Sequence, residues 1–231
     1  MIWQVPRMWE EGDVWIIGGG PSVPGQFDIP DKIIRSVVGR KASPDIYSPY
    51  MVPIHNKHVI GINVAYLIGD WIDLIFFGDS GFFLKHQEGL ARFNGLKVSC
   101  HPRASSIDWV KYLPRDKNHP KGISTSPKMV SWNGNSGAAA ISIAVHAGAK
   151  RVILLGFDMK LNETKDQHWH DVYGRGKARD EKKVMKMPFH RHLRGFPEIA
   201  KDAKHMGVEI LNACPDSAIE CFRKVTVKEL L

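Results

Sequence analysis

The sequence predicts an α/β protein with a doubly wound, mainly parallel sheet of the Rossmann-like type. Short apolar segments alternate with helical patterns along the chain, as repeated βαβ units require. Several of these segments have no polar face, which is typical of parallel strands covered on both sides. The first of them, residues 13–17, runs directly into three glycines, Gly18, Gly19 and Gly20.

The composition suits one nucleotide-binding domain over residues 1–231, which is long enough for a sizeable core and short for two domains. The formal net charge of +8 favours phosphate-rich or otherwise acidic partners. Three irregularly spaced cysteines argue against a disulfide framework. No signal-peptide pattern is present, and no apolar run reaches the roughly 18 residues of a membrane span. We therefore expect a cytoplasmic protein, in the host cytoplasm if a phage encodes it. Whether the protein forms a homo-oligomer is left open by the sequence.

The glycine turn (residues 18–20) and Ser22 predict a phosphate-binding loop. Without a Cβ, glycine adopts positive φ and lets backbone N–H groups approach an anionic oxygen, and Ser22 adds a hydroxyl donor. The third glycine of the dinucleotide fingerprint would fall on Val23, so we expect a nucleotide-phosphate site and no NAD site. A tight turn that binds nothing is the alternative.

Periodicity, length and turn residues place the other elements. The predicted strands cover residues 13–17, 58–63, 74–77, 97–100, 151–155 and 208–211. The predicted helices cover residues 33–38, 82–93, 136–147 and 197–206. Asn135 or Ser136 is the expected N-cap of the third helix, and Gly148 its C-cap.

Four segments have no clear hydrophobic periodicity. Residues 1–12 hold Trp3 in a polar setting and predict an arm packed on the surface or on a second subunit. Residues 24–53 and 107–132 are broken by prolines and are expected to be mainly loop. Residues 160–194 are basic and rich in histidine, and we interpret this lid segment as a lid or acceptor-binding insertion.

Polar residues follow or precede several predicted strands and helices at one edge of the sheet. Ligands of open α/β sheets bind beyond the carboxyl ends of the strands, so we expect these residues to converge there. They are Asn63, Asp79, Ser80, Asn135, Ser136, Gly137, Asp216 and Ser217. Neutral donors, acceptors and helix N-termini suit a sugar, a base and a phosphate better than a metal cage, and no D-x-D pair is present. Ordinary caps and turns are the alternative explanation.

The ordered set of motifs resembles the bacterial sialyltransferases of glycosyltransferase family 42 and, more loosely, 6-hydroxymethylpterin diphosphokinase-like domains of phages and bacteria. The matching pieces are Ile17-Gly-Gly-Gly-Pro-Ser22, Ile62-Asn63, Phe77-Gly-Asp-Ser80, Ser136-Gly137, Leu155-Gly-Phe-Asp158 and Cys214-Pro-Asp-Ser217. The resemblance implies a single-domain variant of the GT-A architecture that binds a nucleotide sugar.

The resemblance also implies roles for individual residues. Nucleotide-binding roles fall on Gly19, Gly20, Ser22, Asn63, Asp79, Ser136 and Ser217, and we add Gly18, Asn135, Gly137 and Asp158 by position. The family's general base is a histidine ahead of the C-P-x-S cysteine. His190, 24 residues before Cys214 (214 − 190), takes that place, with His168, His170 and His192 as alternatives. Imidazole suits this task because its pKa lies near the working pH.

This chain departs from the family at the leaving group. Two tyrosines stabilise the departing phosphate in the family, without metal, whereas Lys160 stands here two residues after Asp158 and only Tyr173 lies in the lid segment. Lys160, Arg175 or Arg179 would neutralise the phosphate by charge. We therefore assume neither sialic acid as the donor sugar nor CMP as the nucleotide.

The lid segment also suggests what the acceptor is. Trp169, Tyr173 and Phe189 lie among cations, as in proteins that stack bases, which favours a nucleic acid or an anionic glycan. A solvated basic face is the alternative. The paired histidines fit a zinc site less well, because only Asp166 and Asp171 lie at a supporting spacing, so no metal ligand is predicted.

The leading hypothesis is a glycosyltransferase that moves a sugar from a nucleotide-sugar co-substrate to an acidic or polyanionic acceptor, such as modified DNA or a surface glycan, without metal or another cofactor. One alternative is a diphosphokinase of the hydroxymethylpterin type, with Mg²⁺ held by Asp79 and Asp158. The other is a non-catalytic nucleotide- or nucleic-acid-binding phage accessory protein.

Overall fold

The computed structural model describes residues 1–173 and 188–231. Its strands are β1 Asp13–Ile17, β2 His58–Ile62, β3 Leu74–Phe77, β4 Leu96–Ser99, β5 Lys111–Tyr112, β6 Arg151–Leu155, β7 Glu209–Asn212 and β8 Arg223–Lys224. They form one eight-stranded sheet in the order β5-β4-β3-β2-β1-β6-β7-β8. Every neighbouring pair of strands in this sheet is parallel.

Helices flank both faces of the sheet. The α-helices of the described ranges are α1 Val23–Gln26, α2 Asp31–Val38, α3 Ser80–Arg92, α4 Ser136–His146, α5 Phe189–Leu193 and α6 Phe196–His205. Short 3₁₀ helices cover Pro44–Tyr50, Val52–Ile54, Asn63–Leu67, Pro102–Ser106 and Val227–Glu229. No helix in the described ranges is long and apolar enough to cross a membrane.

Two apolar cores lie on opposite faces of the sheet, because successive side chains of a strand alternate in direction. Ile16 of β1 points into the core that α4 and α6 cover, whereas Trp15 points into the core beneath the other face. Helix α4 is rich in alanine and is buried along nearly all of its length. Its small side chains let it lie close against the central strands, which fixes its first residues at the edge of the sheet.

The order of the strands reverses at β1, which pairs with β2 on one side and with β6 on the other. Such a switch point opens a crevice beyond the carboxyl ends of the strands. The predicted class, a doubly wound Rossmann-like α/β sheet, is therefore confirmed.

Most predicted strands and helices occur within two residues of their predicted bounds. Strands β5 and β8 and helix α1 were not predicted, because elements this short display no periodicity. The N-terminal arm lies on its own domain: Trp9 is buried and stacks on His58 with ring centroids 5.3 Å apart.

One residue of the lid segment lies in the core of the domain. Trp169 is only 1% exposed, and its Nε1 donates to the carbonyl oxygen of Gly18 at 2.8 Å. The prediction that Trp169 offers a stacking surface is therefore wrong, because its ring lies in the core beside the glycine turn. Most of the predicted basic cluster, including Arg175 and Arg179, lies outside the described residues.

Candidate active site

A cleft of about 930 Å³ lies beyond the carboxyl ends of β1, β2, β3 and β6. Ten of the twelve residues predicted to bind the donor line it: Gly18, Gly19, Gly20, Asn63, Asp79, Asn135, Ser136, Gly137, Asp158 and Lys160. The cleft residues do not include the other two, Ser22 and Ser217, or the predicted base His190. Of the polar residues expected to converge at the sheet edge, Ser80 also lines the cleft, whereas Asp216 does not.

The glycine turn is shaped by close contacts and has no left-handed residue, contrary to our expectation of positive φ at residues 18–20. The N–H of Gly18 donates to Leu155 O at 2.7 Å, and the N–H of Gly20 donates to Gly156 O at 2.8 Å. These two donors are therefore occupied by the β6 turn. Positive φ occurs instead at Gly156, where φ is 68°.

Ser22 bonds to Asp158 instead of facing the cleft. Its hydroxyl donates to Asp158 Oδ2 at 2.9 Å, and its N–H donates to Oδ1 at 3.2 Å. Burial raises the pKa of Asp158, and the hydrogen bonds from Ser22 act in the opposite direction. The expectation that Ser22 donates to a phosphate is corrected, because its hydroxyl already donates a hydrogen bond to the Asp158 carboxylate.

Ser217 is a buried turn residue, so its predicted contact with the nucleotide is corrected as well. It is 3% exposed, donates its hydroxyl to Phe157 O at 2.6 Å and accepts the N–H of Ile219 at 3.0 Å. The Cys214-Pro-Asp-Ser217 loop therefore supports the end of β6 from behind the cleft.

Asn63 lines the cleft and carries an unsatisfied acceptor. It is the first residue after β2 and adopts a left-handed conformation with φ of 54°. Its Oδ1 atom is buried and has no hydrogen-bond partner in the described part of the chain. Since buried polar atoms are normally paired, this oxygen is suited to a donor group on a ligand.

The start of α4 lines the cleft together with the glycine turn. Asn135 caps the helix by accepting the N–H of Ala138 at 2.8 Å. Ser136 is 6% exposed and lines the cleft together with Gly137. A Cβ at Gly137 would lie 3.0 Å from the Phe157 ring, so glycine allows close packing of the helix on β6. The helix N-terminus adds a positive electrostatic potential to the cleft.

His192, and not His190, lies at the cleft. Both belong to α5, where residues two positions apart point about 200° apart around the axis, so His190 is exposed when His192 faces inward. Burial lowers the pKa of His192 to about 4; Arg191 and His190 act in the same direction and Asp79 opposes them. His190, our first prediction for the base, therefore does not line the cleft, whereas the alternative His192 does.

His168 and His170 stand beside the glycine turn with parallel rings whose centroids are 5.1 Å apart. The Nδ1 atom of His168 lies 3.1 Å from Gly19 O, and because a carbonyl only accepts, this nitrogen carries the proton. His170 is 4% exposed, and burial, followed by His168 and His86, lowers its pKa well below 6.5. Both line the cleft, and His168 helps to hold the glycine turn.

No cluster of three or more His, Cys, Asp or Glu side chains that could hold a metal ion occurs in residues 1–173 and 188–231. Asp79 and Asp158, the metal ligands of the diphosphokinase alternative, both line the cleft. The two carboxylate oxygens of Asp158 already accept hydrogen bonds from Ser22.

Several cleft residues had no sequence signal. They include Lys85, His86, Arg115, Trp132 and Arg191. The guanidinium of Arg115 lies 3.6 Å from the centroid of the Trp132 ring. Both come from the segment 107–132, which displays no periodicity, so only the folded chain brings them to the cleft.

The fold is a Rossmann-like α/β sheet with a cleft at its switch point. No protein-family model and no curated protein matches the chain. Among solved structures, the chain is similar to the MAf glycosyltransferase from Magnetospirillum magneticum AMB-1, with a TM-score of 0.63 and 11% identity. That similarity covers 100% of this chain and 36% of the MAf chain, so this protein spans about a third of that structure.

The chain is also similar to the sialyltransferase CstII from Campylobacter jejuni in complex with CMP-3FNeuAc, with a TM-score of 0.51 and 14% identity. This similarity covers 93% of this chain and 86% of CstII. At such identities the likeness shows a shared fold.

Proposed function

We propose that this protein is a glycosyltransferase that uses a nucleotide-sugar donor. The observation that carries the proposal is Asn63, which lines the same cleft as the glycine turn and the start of α4 and whose buried Oδ1 has no hydrogen-bond partner in the described ranges. A cleft of about 930 Å³ has the size expected for a ligand of this kind. Two glycosyltransferase structures share the fold, which is consistent with the proposal.

The donor nucleotide lies across the glycine turn in this proposal. Asn63 accepts a hydrogen bond from its base or ribose, and Ser136 at the start of α4 contacts its phosphate. Asp158 holds the turn in place through Ser22 and does not bind the nucleotide through that carboxylate. Lys160, which lines the cleft at the end of β6, compensates the charge of the leaving phosphate.

His192 is the general base of the proposed reaction. A lone pair of the acceptor hydroxyl oxygen forms a bond to the anomeric carbon, and His192 takes the hydroxyl proton. The bond between the anomeric carbon and the phosphate oxygen breaks, and its electron pair leaves with the nucleotide. Because the pKa of His192 is lowered to about 4, the imidazole is neutral at neutral pH, which is the form that accepts a proton, and it is a weaker base than an ordinary imidazole.

The acceptor in this proposal is an acidic molecule, such as an anionic glycan or a modified nucleic acid. The cations Lys85, Arg115 and Arg191 line the cleft, and the aromatic rings of Tyr173 and Phe189 lie at its border. Cations and rings in one cleft favour an anionic partner with flat or apolar faces.

The test is a panel of CMP-, UDP- and GDP-sugars with the purified protein, scored by thermal stabilisation and by release of free nucleotide. We expect one nucleotide class to stabilise the wild type and to stabilise Asn63→Gly less at the same concentration. The same panel with a chelator, and with Mg²⁺ and ATP plus a hydroxymethylpterin, tests the diphosphokinase alternative. If no nucleotide sugar stabilises the protein or is consumed, the proposal is wrong.

A further inference from the structure

Arg115 is held in a fixed position on the wall of the cleft. Its guanidinium lies 3.6 Å from the centroid of the Trp132 ring. One terminal nitrogen donates to Gly78 O at 2.9 Å, and Nε donates to Cys100 Sγ at 3.4 Å. A Cβ on Gly78 would overlap the Trp132 ring, so the glycine allows the indole to reach the position on which Arg115 rests.

These contacts orient the guanidinium and leave its charge uncompensated. An arginine has five N–H donors, of which Gly78 and Cys100 accept two. No ion pair within 4.0 Å joins Arg115 to a carboxylate anywhere in the described ranges, although Asp79 lines the same cleft. Such a fork, with neutral hydrogen-bond partners and free donors, suits bidentate binding of an oxyanion.

Two neighbours connect Arg115 to His192. Its partner Gly78 precedes Asp79, whose charge acts on the pKa of His192. Its other partner, Trp132, leads to Asn135, whose side-chain amide donates to His192 O at 3.4 Å. The glycine turn instead forms hydrogen bonds with residues 155, 156, 168 and 169. Arg115 is thus connected through its neighbours to His192, the base of the proposed reaction.

We propose that Arg115 forms an oxyanion subsite that binds a carboxylate or phosphate group on the acceptor. The assignment of this group to the acceptor rests on the proposed function, because it depends on His192 being the base. Arg115 would orient the acceptor so that its reacting hydroxyl faces His192, and it would select acidic acceptors over neutral ones. Lysine cannot reproduce a fork held flat on an indole ring, so Arg115→Lys would restore part of the affinity only.

The probes for this subsite are glucose, glucuronate and glucose 6-phosphate, which differ in the anionic group alone. The measurement is an NMR titration that follows the Nε–H signal of Arg115, identified by its loss in Arg115→Lys. We expect glucuronate or glucose 6-phosphate to shift this signal saturably, with an affinity about tenfold or more above that of glucose. Tighter binding of glucuronate would indicate a subsite for a carboxylate, and tighter binding of glucose 6-phosphate a subsite for a phosphate.

Binding of the same probes to variants provides the controls. Arg115→Met should lower the affinity for the anionic sugar to that for glucose. Arg103→Met removes an equal charge from an exposed residue outside the cleft residues and should leave the affinity unchanged. Stabilisation by the cognate nucleotide should persist in both variants, which shows that the donor site is intact.

The outcomes separate this inference from the proposed function. If neither glucuronate nor glucose 6-phosphate shifts the Arg115 signal, or if glucose binds as tightly as these two anions, the subsite does not exist. If CMP, UDP or GDP shifts the signal as strongly as the anionic sugar, Arg115 belongs to the donor phosphate and the acceptor assignment is overturned. A saturable response to the anionic sugar without turnover of any nucleotide sugar would support the oxyanion subsite and contradict the proposed reaction.

Discussion

Gly20 lies directly against the carboxylate of Asp158, so that a Cβ at Gly20 would overlap Asp158 Oδ2 and lie 2.6 Å from Gly156 O. The same carboxylate accepts two hydrogen bonds from Ser22, at the other end of the turn. Asp158 therefore ties the turn after β1 to the end of β6. Glycine is required at position 20 by this contact and not by a special φ angle.

The first prediction concerns this contact. Gly20→Ala forces the turn away from Asp158 and Gly156, and we expect it to lower the free energy of unfolding by about 1–3 kcal/mol. Nucleotide binding should be lost as well, since the turn shifts. Gly25→Ala is the control, because a Cβ there meets nothing within 4 Å. Urea unfolding measures the stability of both variants. An equal loss of stability in the two would contradict the packing argument.

A second prediction separates binding from stability with two asparagines that share a left-handed conformation. Asn63 and Asn133 both have φ of 54°, which glycine also tolerates. Asn63→Gly removes an unpartnered oxygen, so we expect nucleotide affinity to fall about tenfold, with a change in unfolding free energy below about 1 kcal/mol.

Asn133→Gly is the matched variant with the opposite expectation. Its side chain bonds to Gly122 N at 2.7 Å, Gly122 O at 2.8 Å and Ser131 O at 3.0 Å. Loss of these buried bonds should lower the free energy of unfolding by about 1–3 kcal/mol. Calorimetric titration and urea unfolding of both variants give the comparison. If Asn63→Gly is the more destabilising of the two, its side chain has a structural role that the geometry does not indicate.

A third prediction distinguishes the two histidines of α5. His192→Gln should lower kcat of the cognate transfer by about 100-fold or more, whereas His190→Gln, on the exposed side of the same helix, should leave it nearly unchanged. The base acts in its neutral form, and its pKa is lowered to about 4, so kcat/KM should stay level as pH falls from neutrality and decline only near pH 4. A decline already near pH 6.5, or a large loss in His190→Gln, would contradict the assignment.

The fourth prediction concerns the buried His170. Burial lowers its pKa well below 6.5 in the folded protein, so as pH falls through about 6.5 the unfolded chain binds a proton that the folded chain does not. The free energy of unfolding therefore decreases toward acidic pH, by up to about 1.4 kcal/mol per pH unit for this one group. His170→Gln should make that slope shallower. Urea unfolding between about pH 7.5 and about pH 5.5 measures the slope, with the exposed His205→Gln as control.

The parts of the fold that local chemistry decides could be predicted. The buried strand at residues 13–17, the small-residue helix with Asn135 as its cap and the alternation of strands and helices each follow from side-chain pattern alone. The convergence of Asn63, Asp79 and Ser136 followed from the rule that parallel strands place their carboxyl ends at one edge. Strands β5 and β8 could not be predicted, because two residues carry no period.

The sequence by itself determined the sheet, its helices and the edge at which polar residues gather, because these depend on local propensity and on hydrophobic periods. Only the tertiary structure decided which of these side chains face the cleft. The hydroxyl of Ser22 bonds to a carboxylate 136 residues away, and Ser217 bonds to Phe157 at a separation of 60. The orientation of the short helix α5 places His192, and not His190, at the cleft. Packing of the whole domain determines which distant residues become partners and which face of a helix points to the cleft. A local sequence pattern contains no information about either.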